Sequence, residues 1–263
     1  MLRAAETIGR RVVGGAEEIG FAGALLFESL FWTVLGRSRQ QPVRAAAVAA
    51  QTMQVGIQAL PIVTILAATI GMMLAIQSLY TLSLFGAEAF ATVGIALSVV
   101  REFSPLIVGI LIAGRSGSAL AARLSTMLIN QEIDAFRAIG IAPVRFLVAP
   151  ALIAMLIAVP CLTVWANLVA LGAAGILVSS TLGISLEAYG AELLVVLSVN
   201  DLAHGLTKSA IFAALVAIIS SVNGALAEGG AEGVGRMTTR AVVQSIAAII
   251  IADMIFAFIV TSG

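Results

Sequence analysis

Five apolar runs, near 52–79, 89–113, 146–179, 205–227 and 241–262, dominate this chain. Each meets or exceeds the roughly 20 apolar residues that cross a bilayer as a helix. Lipid offers no hydrogen bonds, so a backbone inside it must satisfy its own N–H and C=O groups. A helix does this within one segment. A membrane β-barrel would read as alternating segments of about 10 residues, whereas these runs are continuous Ala, Ile, Leu and Val. With 60% hydrophobic and 11% charged residues among 263, the chain is expected to be an all-α polytopic membrane protein. The expected organisation is one transmembrane domain over 1–263. A cytoplasmic or interfacial segment, 1–44, precedes a five-span bundle, 52–262.

Charge sets the orientation. Under this model Arg3, Arg10, Arg11, Arg37, Arg39, Arg44, Arg115, Arg123, Arg137, Arg145, Arg236 and Arg240 fall on one side, and only Arg101 and Lys208 toward the other. The positive-inside rule then puts the N-terminus in the cytoplasm and the C-terminus outside. The segment FAGALLFESLFWTVLG, 21–36, is apolar but short, and it carries Glu28. Making it a span would push Arg37, Arg39 and Arg44 outside, so it is expected to be an interfacial helix. The third run exceeds an upright span and is expected to tilt or extend past the bilayer. Pro61, in the first run, is tolerable where neighbours satisfy the freed carbonyl. The outer loop 180–204 holds Glu187, Glu192 and Asp201 and no Lys or Arg. Its stretch SLEAYGAELLVVL suits a short helix, and AEGGAEGVGR, 227–236, reads as a glycine-rich turn.

Few features carry chemistry. Cys161 is the single cysteine, which excludes an internal disulfide, and His204 is the single histidine. A P-loop needs G-x-x-x-x-G-K-[ST], but the only lysine, Lys208, follows Thr207. Uphill transport would therefore draw on a partner or an ion gradient. The segment LINQEIDAFRAIGIAP, 128–143, is a polar break between two spans. Asn130 suits an N-cap and Gly140 a stop, with Pro143 beyond. Ile129, Ile133, Phe136 and Ile139 recur at helical spacing, and Asp134 and Arg137 are spaced to pair. A short helix there either lies on the membrane or fits a groove of another protein. In AGRSGSALAA, 113–122, small residues four apart let helices approach closely.

Ionisable residues at membrane depth face a cavity or a partner. Arg101 and Glu102, with Pro105 nearby, are one such pair. Asp253 is another outlier, with Lys208 or Arg101 as its candidate partner. In the first span Gln51, Gln54 and Gln58 share a face. Leu66, Ile70, Met73 and Leu74 either line an apolar cavity or simply pack.

The blocks REFSPLIVGILIAGRSGSALAARLSTMLINQEIDAFRAIGIAPVRFLVAPALIA, 101–154, and GVGRMTTRAVVQS, 233–245, resemble the MlaE/YrbE permeases of MCE-associated ABC transporters. The resemblance implies a homodimeric, non-enzymatic permease in the bacterial inner membrane. ATP and Mg would belong to a separate cytoplasmic ABC ATPase dimer. The substrate would be a phospholipid or related lipid, exchanged with a periplasmic hexamer of MCE-domain proteins. A STAS-domain regulatory subunit is a further implied partner, and nucleic acid is not one. By position, Glu132, Ile133, Asp134, Phe136 and Arg137 would form the coupling helix that docks on the ATPase. Arg101 and Glu102 would lie near the lipid cavity, with Asp253 and Lys208 as buried charges. The chain departs from the family pattern at Arg123, Ser125, Gln131-Glu132 and Ala151, beside or soon after that helix. An ion-coupled transporter or proton-channel subunit using Arg101, Glu102 and Asp253 is the competing class.

Overall fold

The computed structural model describes residues 2–35 and 43–262, with side chains over 13–33 and 43–259. Arg37, Arg39 and the side chains of Arg3, Arg10 and Arg11 lie outside the described residues. Every regular element among the described residues is helical. In chain order these are α1 (Leu2–Leu35), α2 (Ala45–Val55), α3 (Leu60–Ser83), α4 (Ala91–Ser98), α5 (Ser104–Ile112), α6 (Ser118–Ile129), α7 (Glu132–Ala138), α8 (Ala149–Leu182), α9 (Leu186–Val196), α10 (Val199–Ala225) and α11 (Gly230–Ser262).

Among the described residues five stretches are long and apolar enough to cross a membrane: Ala45–Ser83, Glu88–Ile129, Val144–Leu182, Val199–Ala225 and Gly230–Ile259. Each covers most of one expected run. The helices overshoot the apolar runs, most of all at the end of the second and the start of the fifth. Helical hydrogen bonding continues into polar sequence as long as nothing breaks it. The 34 residues of α8 alone rise about 50 Å at 1.5 Å per residue. That exceeds the roughly 30 Å of hydrocarbon in a bilayer.

The glycine-rich turn over 227–236 is corrected by the structure. α11 already begins at Gly230, and only Gly229 and Gly230 adopt positive φ, +87° and +72°. A Cβ at Gly233 would overlap the Glu228 carbonyl. Glycine there admits the incoming chain against the first turn of the helix instead of ending it.

Three wide π-helical turns interrupt the spans, at Val99–Phe103, Ala113–Gly117 and Val144–Val148. Two have a visible cause. Pro105 and Pro150 each stand two residues beyond a π turn. Proline lacks an N–H, and its ring clashes with the carbonyl four residues back, here those of Arg101 and Phe146. The wide turn moves the hydrogen bonding one residue further. Ser104 N–H donates to the Val99 carbonyl, and Ala149 N–H to the Val144 carbonyl.

The chain divides into two compact units, and several long helices contribute to both. The first comprises 1–51, 113–154 and 214–245. In it α1 packs on the π turn at 144–148, with Leu25 against Ile218 and Val222. Arg240 Nη2 donates to both Glu18 carboxylate oxygens, at 2.6 and 2.8 Å, and so ties α11 to α1. Gly224 lets α10 approach α6 at Ala121 and Leu124.

The second unit comprises 52–112, 155–213 and 246–263. Its α3 presents Val63, Ala67, Gly71, Ala75 and Leu79 inward, mostly small residues four apart. Gly71 abuts the Ala170 backbone of α8 so closely that a Cβ would overlap the Ala170 carbonyl. The expected helix in the 180–204 loop is present as α9, capped by Ser185, whose Oγ accepts from Ala188 N–H at 3.0 Å. Tyr189 anchors α9, its hydroxyl donating to the Leu171 carbonyl at 3.2 Å. Burial, reinforced by the charge of Glu192, pushes the Tyr189 hydroxyl up to about 12.

Candidate functional site

The π turn at Val99–Phe103 carries Arg101 and Glu102, and the structure sends them to different partners. Arg101 Nε donates to Asp201 Oδ1 at 2.6 Å. Lys208 Nζ pairs with Glu102 Oε2 and lies 2.6 Å from Asp253 Oδ1. This second contact is an ion pair rather than an aligned hydrogen bond. Lys208 is the partner of Asp253, which decides between the two candidates that the sequence leaves open. Gly205 brings α10 against the Val100 carbonyl, where a Cβ would overlap. Two cations and three carboxylates are therefore held between the π turn, α10 and α11.

Burial makes this network costly to disturb. Lys208 is fully buried, whereas Glu102 and Arg101 keep 39% and 42% of their side chains exposed. Removing one partner of a buried ion pair costs about 3–5 kcal/mol, because it leaves an uncompensated charge. Asp201 is held from a second direction. Ser198 N–H donates to Asp201 Oδ2 at 2.8 Å, and Asp201 N–H donates back to Ser198 Oγ at 3.3 Å. This reciprocal capping box starts α10 and fixes the carboxylate that receives Arg101. Sequence reasoning treated Asp201 only as a loop acid. The signal was present in Ser198-Val199-Asn200-Asp201, a Ser-x-x-Asp run ahead of apolar sequence.

Of the four candidate cavity residues, Ile70 lines a pocket. It is small and apolar, with Val63, Ala67, Val99 and Phe103 among its other walls. Leu66 and Leu74 are half-buried, and Met73 is exposed. The small-residue stripe of α3 takes the interior, so the large side chains turn outward. Trp165 Nε1 donates to Thr64 Oγ1 at 2.8 Å and fixes α8 to α3 beside that stripe. Among the described residues no group of three His, Cys, Asp or Glu side chains could hold a metal ion.

In the first unit, α7 is the polar break between the second and third spans. Asn130 is not its N-cap, because Asn130 ends α6 and Gln131 holds the cap position at φ +59°. A left-handed residue reverses the chain in one step, so α7 starts at once. Gly140, at φ +77°, closes it. Ile141 N–H donates to the Phe136 carbonyl at 2.8 Å and Gly140 N–H to the Arg137 carbonyl at 3.1 Å, a Schellman ending.

The apolar stripe of α7 divides. Ile133 is buried, while Phe136 is half-buried against Phe146 with ring centroids 5.1 Å apart. The Arg44 guanidinium covers the Phe146 ring at 5.4 Å. Ile139 is 70% exposed. Glu132, Asp134 and Arg137 are exposed too, with Arg137 donating to Asp134 at 3.0 Å. Phe136 and Ile133 thus hold α7 in place, and its charged residues and Ile139 form the outward surface.

The sequence that builds this arrangement is similar to those of known proteins. The family model described as Permease MlaE matches residues 48–259. The chain belongs to the MlaE permease family. The match contains the charge network, α7 and every stretch able to cross a membrane except its outermost residues. A relative from Rickettsia felis, named a probable ABC transporter permease protein, is 30% identical over 96% of both chains. A Synechocystis protein with a similar name is 33% identical over 81% of both. Arabidopsis thaliana contributes the chloroplastic protein trigalactosyldiacylglycerol 1, 36% identical over 71% of this chain and 53% of its own.

Proposed function

We propose that this MlaE-family chain is the membrane subunit of an ABC transporter that moves phospholipids or related lipids. Two copies would form the permease, in the inner membrane, with the N-terminus cytoplasmic and the C-terminus periplasmic. A separate ATPase dimer would bind ATP and Mg and drive it, and a periplasmic MCE protein would exchange lipid with it. The observation that carries this reading is α7, a helix anchored from within by Ile133 and Phe136 that turns Glu132, Asp134, Arg137 and Ile139 outward. A helix so placed between two spans transmits the movement of a docked partner to both. The names of the Rickettsia and Synechocystis relatives support the ABC assignment. The Arabidopsis relative is named for a diacylglycerol lipid, which supports the substrate class.

In this reading the network of Arg101, Asp201, Glu102, Lys208 and Asp253 is where a lipid headgroup meets the permease. ATP binding draws the two α7 helices together, and the movement passes along the spans to that site. Co-purification of an ATPase with the chain, and lipid transfer that depends on it, tests the assignment. Charge reversal at Asp134 and Glu132 is expected to abolish transfer while leaving the chain in the membrane. Full transfer and normal ATPase binding in that variant would overturn the coupling role.

One observation favours a second reading. A fully buried lysine between two carboxylates also suits a proton or ion relay. Proteoliposomes containing this chain alone, under a proton gradient, separate the two readings. Gradient-driven transport without an ATPase supports the relay and sinks the ABC assignment.

A further inference from the structure

The network described above is out of balance. Arg101 and Lys208 face three carboxylates, Asp201, Glu102 and Asp253. One more titratable group stands on the same stripe of α10. His204 follows Asp201 by three residues and precedes Lys208 by four, so helical periodicity aligns all three. Its half-buried ring meets Phe256 edge to face, with centroids 5.7 Å apart. Phe256 lies three residues past Asp253 on α11. The imidazole lies within electrostatic reach of Lys208, Glu102, Arg101 and Asp201. The charged groups around it are thus Asp201 and Lys208 from α10, Arg101 and Glu102 from the π turn, and Asp253 on the turn of α11 before Phe256.

Imidazole is the side chain whose ordinary titration falls between about pH 5 and 8. With His204 neutral, the cluster carries one excess negative charge. With His204 protonated, its charges balance. The cluster is also open to a ligand, because Arg101 and Glu102 each keep about two-fifths of the side chain exposed. A headgroup arriving there meets a guanidinium that can take its phosphate. It also meets carboxylates that can take an ammonium.

We propose that His204 sets the headgroup charge that this site accepts. Neutral His204 leaves the excess carboxylate free to pair with the ammonium of a zwitterionic phospholipid and to repel an anionic one. Protonated His204 cancels that charge and admits anionic phospholipid. This inference rests on the reading of the network as a headgroup site, and its test separates the two.

The complete transporter is placed in vesicles of equal phosphatidylethanolamine and phosphatidylglycerol. The lipid it retains on extraction is counted by mass spectrometry at about pH 5 and about pH 8, the two ends of the imidazole range. In the unaltered protein the retained ratio should shift toward phosphatidylglycerol at the lower pH, by on the order of tenfold. That is the scale of one unit charge about 12 Å away at an effective dielectric of about 20. His204→Gln should keep the high-pH ratio at both values, and His204→Arg the low-pH ratio. A ratio that is independent of pH in the unaltered protein, or one that still shifts in His204→Gln, overturns the proposal. Arg101→Ala, and Lys208→Met combined with Glu102→Gln and Asp253→Asn, form the separate arm. Lipid retention unchanged in both would overturn the headgroup site itself. Retention lost in them, with His204→Gln still shifting with pH, overturns only the role of His204.

Discussion

The π turn of the second span and the helix α7 are both polar breaks in apolar sequence, and the protein handles them in opposite ways. At the π turn the charges go inward. Arg101, Glu102, Asp201, Lys208 and Asp253 pair with one another across three elements. At α7 the apolar residues go inward and the charges stay outside, with only the Asp134–Arg137 pair between them. Charge at membrane depth must find a partner within the protein. Charge beside water need not, and remains available to another molecule. The first arrangement ties its residues to one another, and the second leaves them exposed.

Breaking the comparison starts at Lys208. Lys208→Ala leaves Glu102 and Asp253 facing each other without a cation. Stability should fall by about 3–5 kcal/mol, read as lowered thermal stability in detergent. A triple variant, Lys208→Met with Glu102→Gln and Asp253→Asn, should recover much of that loss, because no buried charge is then unpaired. If Lys208→Ala unfolds no earlier than the unaltered protein, the pairing is not structural.

Phe136→Ala comes next. It removes a half-buried ring from Phe146, and its cost should fall below the roughly 3–5 kcal/mol of a fully buried phenylalanine. Hydrogen exchange should rise in α7 and leave the π turn unchanged. Equal exchange in both regions would mean that the two are not separately held.

Tyr189 gives a smaller effect with a defined pH window. Its folded value near 12 stands above the ordinary value near 10. The protonated phenol therefore stabilises the fold below about pH 10, and this contribution is lost as pH rises toward 12. Alkaline titration should loosen α9 over that window, as read by proteolysis within residues 183–198. Tyr189→Phe should show a small constant loss, about 1 kcal/mol for the hydrogen bond, and no loosening across that window.

The smallest expected effect is at the surface of α7. Asp134→Ala with Arg137→Ala removes an exposed pair, worth less than about 0.5 kcal/mol. Its stability should not change measurably while ATPase-dependent lipid transfer falls. A stability loss comparable to that of Phe136→Ala would contradict an outward, docking role.

The sequence was legible wherever neighbours in the chain decide the outcome. Gly140 ends α7, Asp134 and Arg137 pair across one turn, and SLEAYGAELLVVL forms α9, all from local spacing. The misreadings have local causes too. Asn130 was a reasonable cap by residue type, but the left-handed backbone at Gln131 placed the reversal one residue later. AEGGAEGVGR looked like a turn because glycine disfavours helix interiors. At Gly233 a close approach to the Glu228 carbonyl requires glycine.

What the sequence determined by itself is the class of the elements and the number of spans. Apolar runs of spanning length admit only helices in a bilayer, since the backbone must satisfy itself there. Tertiary structure alone decided which side chains meet. Arg101 and Glu102 are adjacent in the chain, yet their partners lie about 100 residues away on α10, where Lys208 also meets Asp253 of α11. Small residues on α3 took the interior from Leu66 and Met73 because close helix contact excludes large side chains there. Pairing of buried charge and fit of backbones at Gly71 and Gly205 depend on distances between elements, and no spacing along one segment encodes them.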